Sequence, residues 1–163
     1  MAKEQIATYL NDHLAGSVVA VELMENLETV YAGTPVVDFI SKLRADIEAD
    51  REELRAIMST LQISESRTRK ASAWLTEKLT ELKLRLDDPS RGDLRLLESL
   101  EALSLGIEGK KSLWLALIAA GEVSSGLRIA DYERLKERAV EQRGRVEDKR
   151  LEIAKVALKL EEE

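Results

Sequence analysis

The side chains best placed to do chemistry in this 163-residue chain are carboxylates near the middle of long apolar-periodic stretches. Glu22 and Glu25 form one group, Glu101 and Glu108 another, and two segments, Glu48-Ala49-Asp50-Arg51 and Glu147-Asp148-Lys149-Arg150, each begin with an acid and end on an arginine. Residues i and i+3 share a helix face, so acids of this kind on several helices could converge on a hard cation such as Fe²⁺, Mn²⁺ or Mg²⁺. His13, beside Asp12, is the single histidine. It could serve as a lone ligand, a proton carrier or a pocket residue, although a hydrogen-bonded histidine at a core boundary is the commoner role. With no second imidazole and no cysteine, conventional triad chemistry, thiolate ligation, iron–sulfur clusters and disulfides fall outside the repertoire.

Four amphipathic stretches, 3–30, 35–62, 90–120 and 131–161, must position these groups. Ile6, Leu10, Leu14, Val18, Val21 and Leu27 recur at the three-and-four spacing of one helix face, and Gly33 then supplies a stop. Thr34 and Pro35 read as an N-cap and a first helical residue, so the first two helices are antiparallel neighbours. Helix two turns Phe39, Leu43, Ile47, Leu54, Ile57 and Leu61 inward, with Asp50 and Arg51 interrupting the stripe. Residues 63–88 read as a connector: a basic run of Arg67, Arg69 and Lys70, then a shorter helix carrying Ala71, Leu75, Leu79, Leu82 and Leu86. Such a connector is long enough to return along a bundle about 40 Å in length, which makes helix three parallel to helix two; a five-helix up-and-down bundle is the alternative.

Asp88, Pro89 and Ser90 signal the start of helix three, whose face carries Leu94, Leu97, Leu100, Leu103, Ile107, Trp114, Leu117 and Ile118. Gly121, Ser124, Ser125 and Gly126 read as a turn and Asp131 as the cap of helix four. The inner face of that helix, Tyr132, Leu135, Ala139, Val146, Ile153, Ala157 and Leu160, is weakened by Gln142, Arg143 and Arg150. Gly16, Gly106, Gly109 and Gly144 lie inside helical segments, where close helix crossing is the plain explanation. Gly106 and Gly109 flank Glu108, and a helix irregularity presenting backbone groups to a ligand is the sharper one.

An all-α four-helix pattern with a long helical crossover between helices two and three resembles the ferritin-like superfamily over nearly the whole chain, read as one domain of residues 1–163. That family's di-metal site takes a glutamate from each of two helices and a Glu-x-x-His pair from each of the other two. Here both pairs read Glu-x-x-Arg, at Glu48 and Arg51 and at Glu147 and Arg150. A guanidinium offers only donors and cannot replace an imidazole as a ligand. The resemblance therefore implies a degenerate member whose centre is closed by a structural salt-bridge network of Glu48, Arg51, Glu147 and Arg150, with no cofactor. It also implies dimerisation through the outer faces of helices one and two.

A net charge of -6 and the shortness of the basic run argue against a nucleic-acid surface, and the most apolar window, 112–120, is too short to span a bilayer. No basic region followed by an apolar core and cleavage site opens the chain, so a cytoplasmic location is expected. The leading reading is a non-catalytic interaction or assembly module, with a second copy or another protein as partner. Its rival is a metal-binding or oxidoreductase-type protein holding Fe or Mn on an unconventional carboxylate site drawn from Glu22, Glu25, Glu48, Glu101, Glu108, Glu147 and His13.

Overall fold

The computed structural model describes residues 2–66, 77 and 92–160. They form four α-helices, α1 (Ala2–Val30), α2 (Val36–Thr60), α3 (Gly92–Val123) and α4 (Tyr132–Ala157), with a 3₁₀ turn at Ser125–Leu127 and no strand among the described residues. The connector helix, Trp74, the basic run and the Asp88-Pro89-Ser90 signal lie outside the described residues.

Local chemistry sets the helix ends. Gly33 adopts φ 77°, a left-handed conformation that costs a residue without Cβ little, and closes the turn after α1. Pro35 has the helical φ of −62° and leads into α2, but Thr34 does not cap it: the Thr34 hydroxyl donates back to the Tyr31 carbonyl at 2.7 Å. At the other end of α2 the Ile63 amide donates to the Met58 carbonyl (2.8 Å) and the Gln62 amide to the Ser59 carbonyl (3.0 Å). This is a Schellman closure, and it puts a glutamine at φ 54°. Asp131 caps α4 as its position suggested, accepting the Arg134 amide at 3.0 Å. Gly121 belongs to α3, not to the turn. The Arg128 side chain lies over it, with Cγ 3.4 Å from where a Cβ would stand and Nε donating to the Gly121 carbonyl at 2.6 Å.

Side-chain pairings fix the helix directions. Arg44 meets Glu28 across α1 and α2; Glu101, Ser104 and Glu108 meet Arg150, Glu147 and Arg143 across α3 and α4; Asp46, Asp50 and Glu53 meet Arg145, Arg138 and Arg134 across α2 and α4. Each of these pairs runs antiparallel, so α3 is parallel to α2. In agreement, the Tyr31 hydroxyl after α1 donates to the Gly92 carbonyl at the start of α3 (2.5 Å). The backbones approach closely within the α1–α2 and α3–α4 hairpins and over a shorter run between α1 and α3, whereas α2 approaches α3 and α4 closely at isolated points at most.

The core is aliphatic, built from Leu10, Leu14, Val21, Met24 and Leu27 of α1, Ile40, Leu43, Ile47, Leu54 and Ile57 of α2, Leu96, Leu100, Leu103, Ile107 and Leu117 of α3, and Leu135, Ala139 and Val146 of α4. Burying one such large aliphatic side chain contributes roughly 1.5–3 kcal/mol. Trp114 is buried and stacks on Tyr132, ring centroids 6.4 Å apart. Ile40 is the fully buried member of the α2 stripe 40, 43, 47, 50, 54, 57, and Phe39 packs against the core from its edge, half-covered and beneath the Lys149 ammonium, 5.8 Å from the ring centre. One expected core position is corrected: Leu160 is 85% exposed, since α4 ends at Ala157 before it. Outside the helices, the Asn11 side chain brackets the chain leaving α2, donating to the Ser64 carbonyl (3.2 Å) and accepting the Ser66 amide (2.7 Å).

Candidate functional site: a buried polar layer

The 40-43-47-50-54-57 stripe of α2 places Asp50 on the core face, only 3% exposed. The α3 stripe 100-103-107-110-114-117 brings Lys110 to the same level, and the α4 stripe 132-135-139-142-146 brings Gln142, 2% exposed. The three side chains close on one another. Gln142 Nε2 donates to Asp50 Oδ2 at 2.8 Å, and the Lys110 ammonium donates both to that oxygen and to Gln142 Oε1. Arg138 brings a guanidinium nitrogen to 2.8 Å from Asp50 Oδ1, an ion pair whose angles fall short of a hydrogen bond.

Burial pushes the Lys110 ammonium below the ordinary lysine range; the Asp50 carboxylate opposes that shift and the Arg138 guanidinium adds to it. The layer continues outward as ion pairs of partly exposed side chains, Asp46 with Arg145 and Glu53 with Arg134 and Arg138. The α2 side of the seam is acidic and the α4 side basic.

The four residues expected to close the centre lie at its flanks. Glu48 is partly exposed and pairs with Arg44 (3.0 Å) on its own helix. Arg51 is partly buried, and its Nε has no hydrogen-bond partner among the described residues. Glu147 and Arg150 pair with each other at 2.7 Å on one helix, and Ser104 donates to the Glu147 carboxylate, which together hold its pKa below the usual glutamate range. The cause is register: with Ile47 and Leu54 inward, the inward residue between them is Asp50, two positions after Glu48 and one before Arg51.

The alternative metal set is not gathered. Glu25 is exposed and Glu101 is 62% exposed, reached by Arg150 at 3.9 Å. Glu108 is committed to Lys111 (2.6 Å) and Arg143 (3.2 Å), cations that lower its pKa. Glu22 is half-buried on α1, and His13 lies edge-on against Tyr9, centroids 4.7 Å apart, its pKa lowered by burial against the raising effect of Asp12. Among the described residues no three of His, Asp and Glu cluster as a metal site would require. The centre itself does not fit a di-metal group either, because its one acid is already bonded to an ammonium, an amide and a guanidinium, two of them cations with no lone pair to donate.

No family model, curated protein or solved structure matches this chain. No helix among the described residues is long and apolar enough to cross a membrane.

Lys110 and Arg138 are the members of the layer that did not stand out in the sequence. A signal existed: Leu103, Ile107, Trp114 and Leu117 are spaced so that position 110 must share their face, and a lysine there needs a buried partner. Gly106 and Gly109 show no helix irregularity; α3 continues through both, and a Cβ at either would meet nothing within 4 Å.

Proposed function

We propose that this chain is a ferritin-like helical bundle that has exchanged a di-metal centre for a structural polar layer and serves, in the cytoplasm, as a non-catalytic interaction or assembly module. The observation that carries the reading is the Lys110 ammonium bonded to Asp50 and Gln142 between three helices, at the level where such bundles project metal-binding carboxylates. A fixed cation there already neutralises the central acid. The parallel course of α2 and α3 supports the ferritin-like topology, because the end of α2 and the start of α3 then lie at opposite ends of the bundle.

Thermal unfolding with and without Fe²⁺ and Mn²⁺, paired with elemental analysis, tests the metal half of the proposal. A ligand preferring the folded state raises the melting temperature, so no bound metal and an unchanged midpoint are expected, and stoichiometric metal with a raised midpoint would overturn it. Light scattering on a size-exclusion column tests assembly. A mass of two or more chains is expected, and a monomer across a wide concentration range would remove self-assembly from the proposal and leave a different protein as the partner.

A further inference from the structure

α3 carries a second apolar stripe on the side turned away from the core. Leu105, Gly109, Ser112, Ala116, Ala119 and Val123 recur at alternate spacings of four and three, which keeps them on one face as a partner helix would require. The ends of the stripe stand in solvent, Leu105 at 60% and Val123 at 92% exposure, and Ser112, Ala116 and Ala119 between them are exposed as well. In a chain with 34% charged residues, an outward stripe without a charge over roughly five turns sets α3 apart. The outer face of α4, by contrast, carries Glu133, Glu137, Glu141 and Asp148, all exposed. Leaving such an apolar face in water is unfavourable, and contiguous exposure of this kind marks a contact with another protein.

The occupant that fits is a second copy of α3 running antiparallel. The stripe has bulky residues at its ends and small ones between, so a copy reversed about the level of Trp114 sets Leu105 against Val123, Gly109 against Ala119 and Ser112 against Ala116. Small residues opposite small ones let two helix axes approach at the short end of the usual range of about 8–10 Å, while the bulky pairs close the contact at both ends. A surface that is its own complement under a two-fold rotation is what an isologous dimer requires.

The flank beside the stripe obeys the same rotation. Glu108, Leu115 and Glu122 follow one another there at intervals of seven. Reversal puts Leu115, 45% exposed, beside Leu115 of the second copy and brings Glu122 to Glu108. Glu108 is already paired with two cations, Lys111 at 2.6 Å and Arg143 at 3.2 Å, which leaves one positive charge in excess. Glu122, exposed and without an ion pair among the described residues, supplies the matching negative charge. The stripe is about 27 Å long and, with the neighbouring edge of α4, about 20 Å wide, so two copies bury about 1,000 Å². That is the lower limit for a specific interface and suits a reversible dimer in the micromolar range.

We infer that the outer face of α3 is a homodimer interface, the α3 helices of two copies packing antiparallel about the level of Trp114; the inference rests on the assembly reading above and names its surface. Sedimentation equilibrium of the intact chain over a micromolar concentration series tests it. The unaltered protein should show a monomer–dimer equilibrium, and Leu105→Glu alone or Val123→Lys alone should weaken it at least about tenfold, since each sets a charge against an apolar residue. The two together should return the affinity to within a few-fold of the original, because each new glutamate then meets the new lysine of the other copy. Ala49→Glu, at an exposed position of α2, should change nothing. A dimer that survives Leu105→Glu and Val123→Lys would overturn the α3 interface and leave self-assembly standing. Failure of the double variant to recover would overturn the antiparallel register, and a monomer at every concentration would overturn both this inference and the self-assembly on which it rests.

Cross-linking gives an independent check, because the chain has no native cysteine. Leu115→Cys treated with a short bismaleimide should yield a covalent dimer, and Ala49→Cys should not. A covalent dimer from Ala49→Cys alone would overturn the interface.

Discussion

Lys110 on α3 reaches Asp50 on α2 where the carboxylate is 3% and the lysine side chain 15% exposed, so each is the other's replacement for water. Removing Lys110 takes the ammonium from a buried carboxylate that keeps Gln142 and the partly exposed Arg138, whereas removing the whole polar set need not destabilise. Lys110→Met is therefore expected to cost about 1–3 kcal/mol in urea unfolding, less than the cost of a fully unpaired buried charge. The combined variant Asp50→Leu, Lys110→Met, Gln142→Leu should recover most of that loss. Equal losses from the single and combined variants would show that the pair contributes net stability of its own.

Gln62 holds a left-handed conformation that glycine adopts without a Cβ penalty. Gln62→Gly is expected to stabilise the protein by up to about 1 kcal/mol, read as a raised denaturant midpoint at constant slope. A loss of stability would mean that the glutamine side chain itself holds the end of α2.

Asp131 supplies the one side-chain cap seen among the described helix starts for which a cap is resolved, and Asp131→Ala should cost ~1 kcal/mol. Asp131→Asn should be nearly neutral, because an amide oxygen can accept the Arg134 amide as the carboxylate does. A large loss with asparagine would point to charge, through the helix dipole, as the main effect.

Gly106 and Gly109 have open space where a Cβ would stand, so alanine at either should stabilise α3 by roughly 0.5–1 kcal/mol. Thermal scans of the two single variants suffice. Stabilisation with a change in assembly mass would place the smooth outer face of α3 in a contact between molecules.

His13, as the only histidine, can be followed directly by proton NMR. Its midpoint should lie below the ordinary histidine value, because burial disfavours the charged ring more than Asp12 favours it. Between that lowered midpoint and the ordinary value the unfolded chain binds a proton that the folded chain refuses, so stability falls as pH drops through this window and His13 contributes no further change on either side of it. His13→Gln should flatten that dependence; an unchanged slope would assign it to other groups.

Much of this fold was legible because apolar periodicity survives in every described helix. The turn at Gly33 and the cap at Asp131 were readable from residue type alone, since each answers a local backbone need. The polar centre was only half legible. Asp50 and Gln142 stood out as breaks in apolar stripes, but a motif reading drew attention to Glu48, Arg51, Glu147 and Arg150, whose mutual spacing says nothing about which way a helix is turned. Rotation is set by the sum of aliphatic contacts, and on α2 that sum turns Ile40, Ile47 and Leu54 inward and carries Asp50 with them. Lys110 was hidden for the opposite reason, as a cation in a strongly apolar helix that looks like a solvated residue until its partner on another helix is known.

The bracket that Asn11 places around Ser64 and Ser66 ties the chain leaving α2 to the neighbouring helix. Backbone groups just past a helix end lack the partners that the helix gives its own interior. By offering one donor and one acceptor, a single amide side chain of α1 satisfies two of those groups at once. The exit of α2 is thus sealed by a side chain of the helix beside it, and its local order depends on a residue that sequence distance alone would never connect to it.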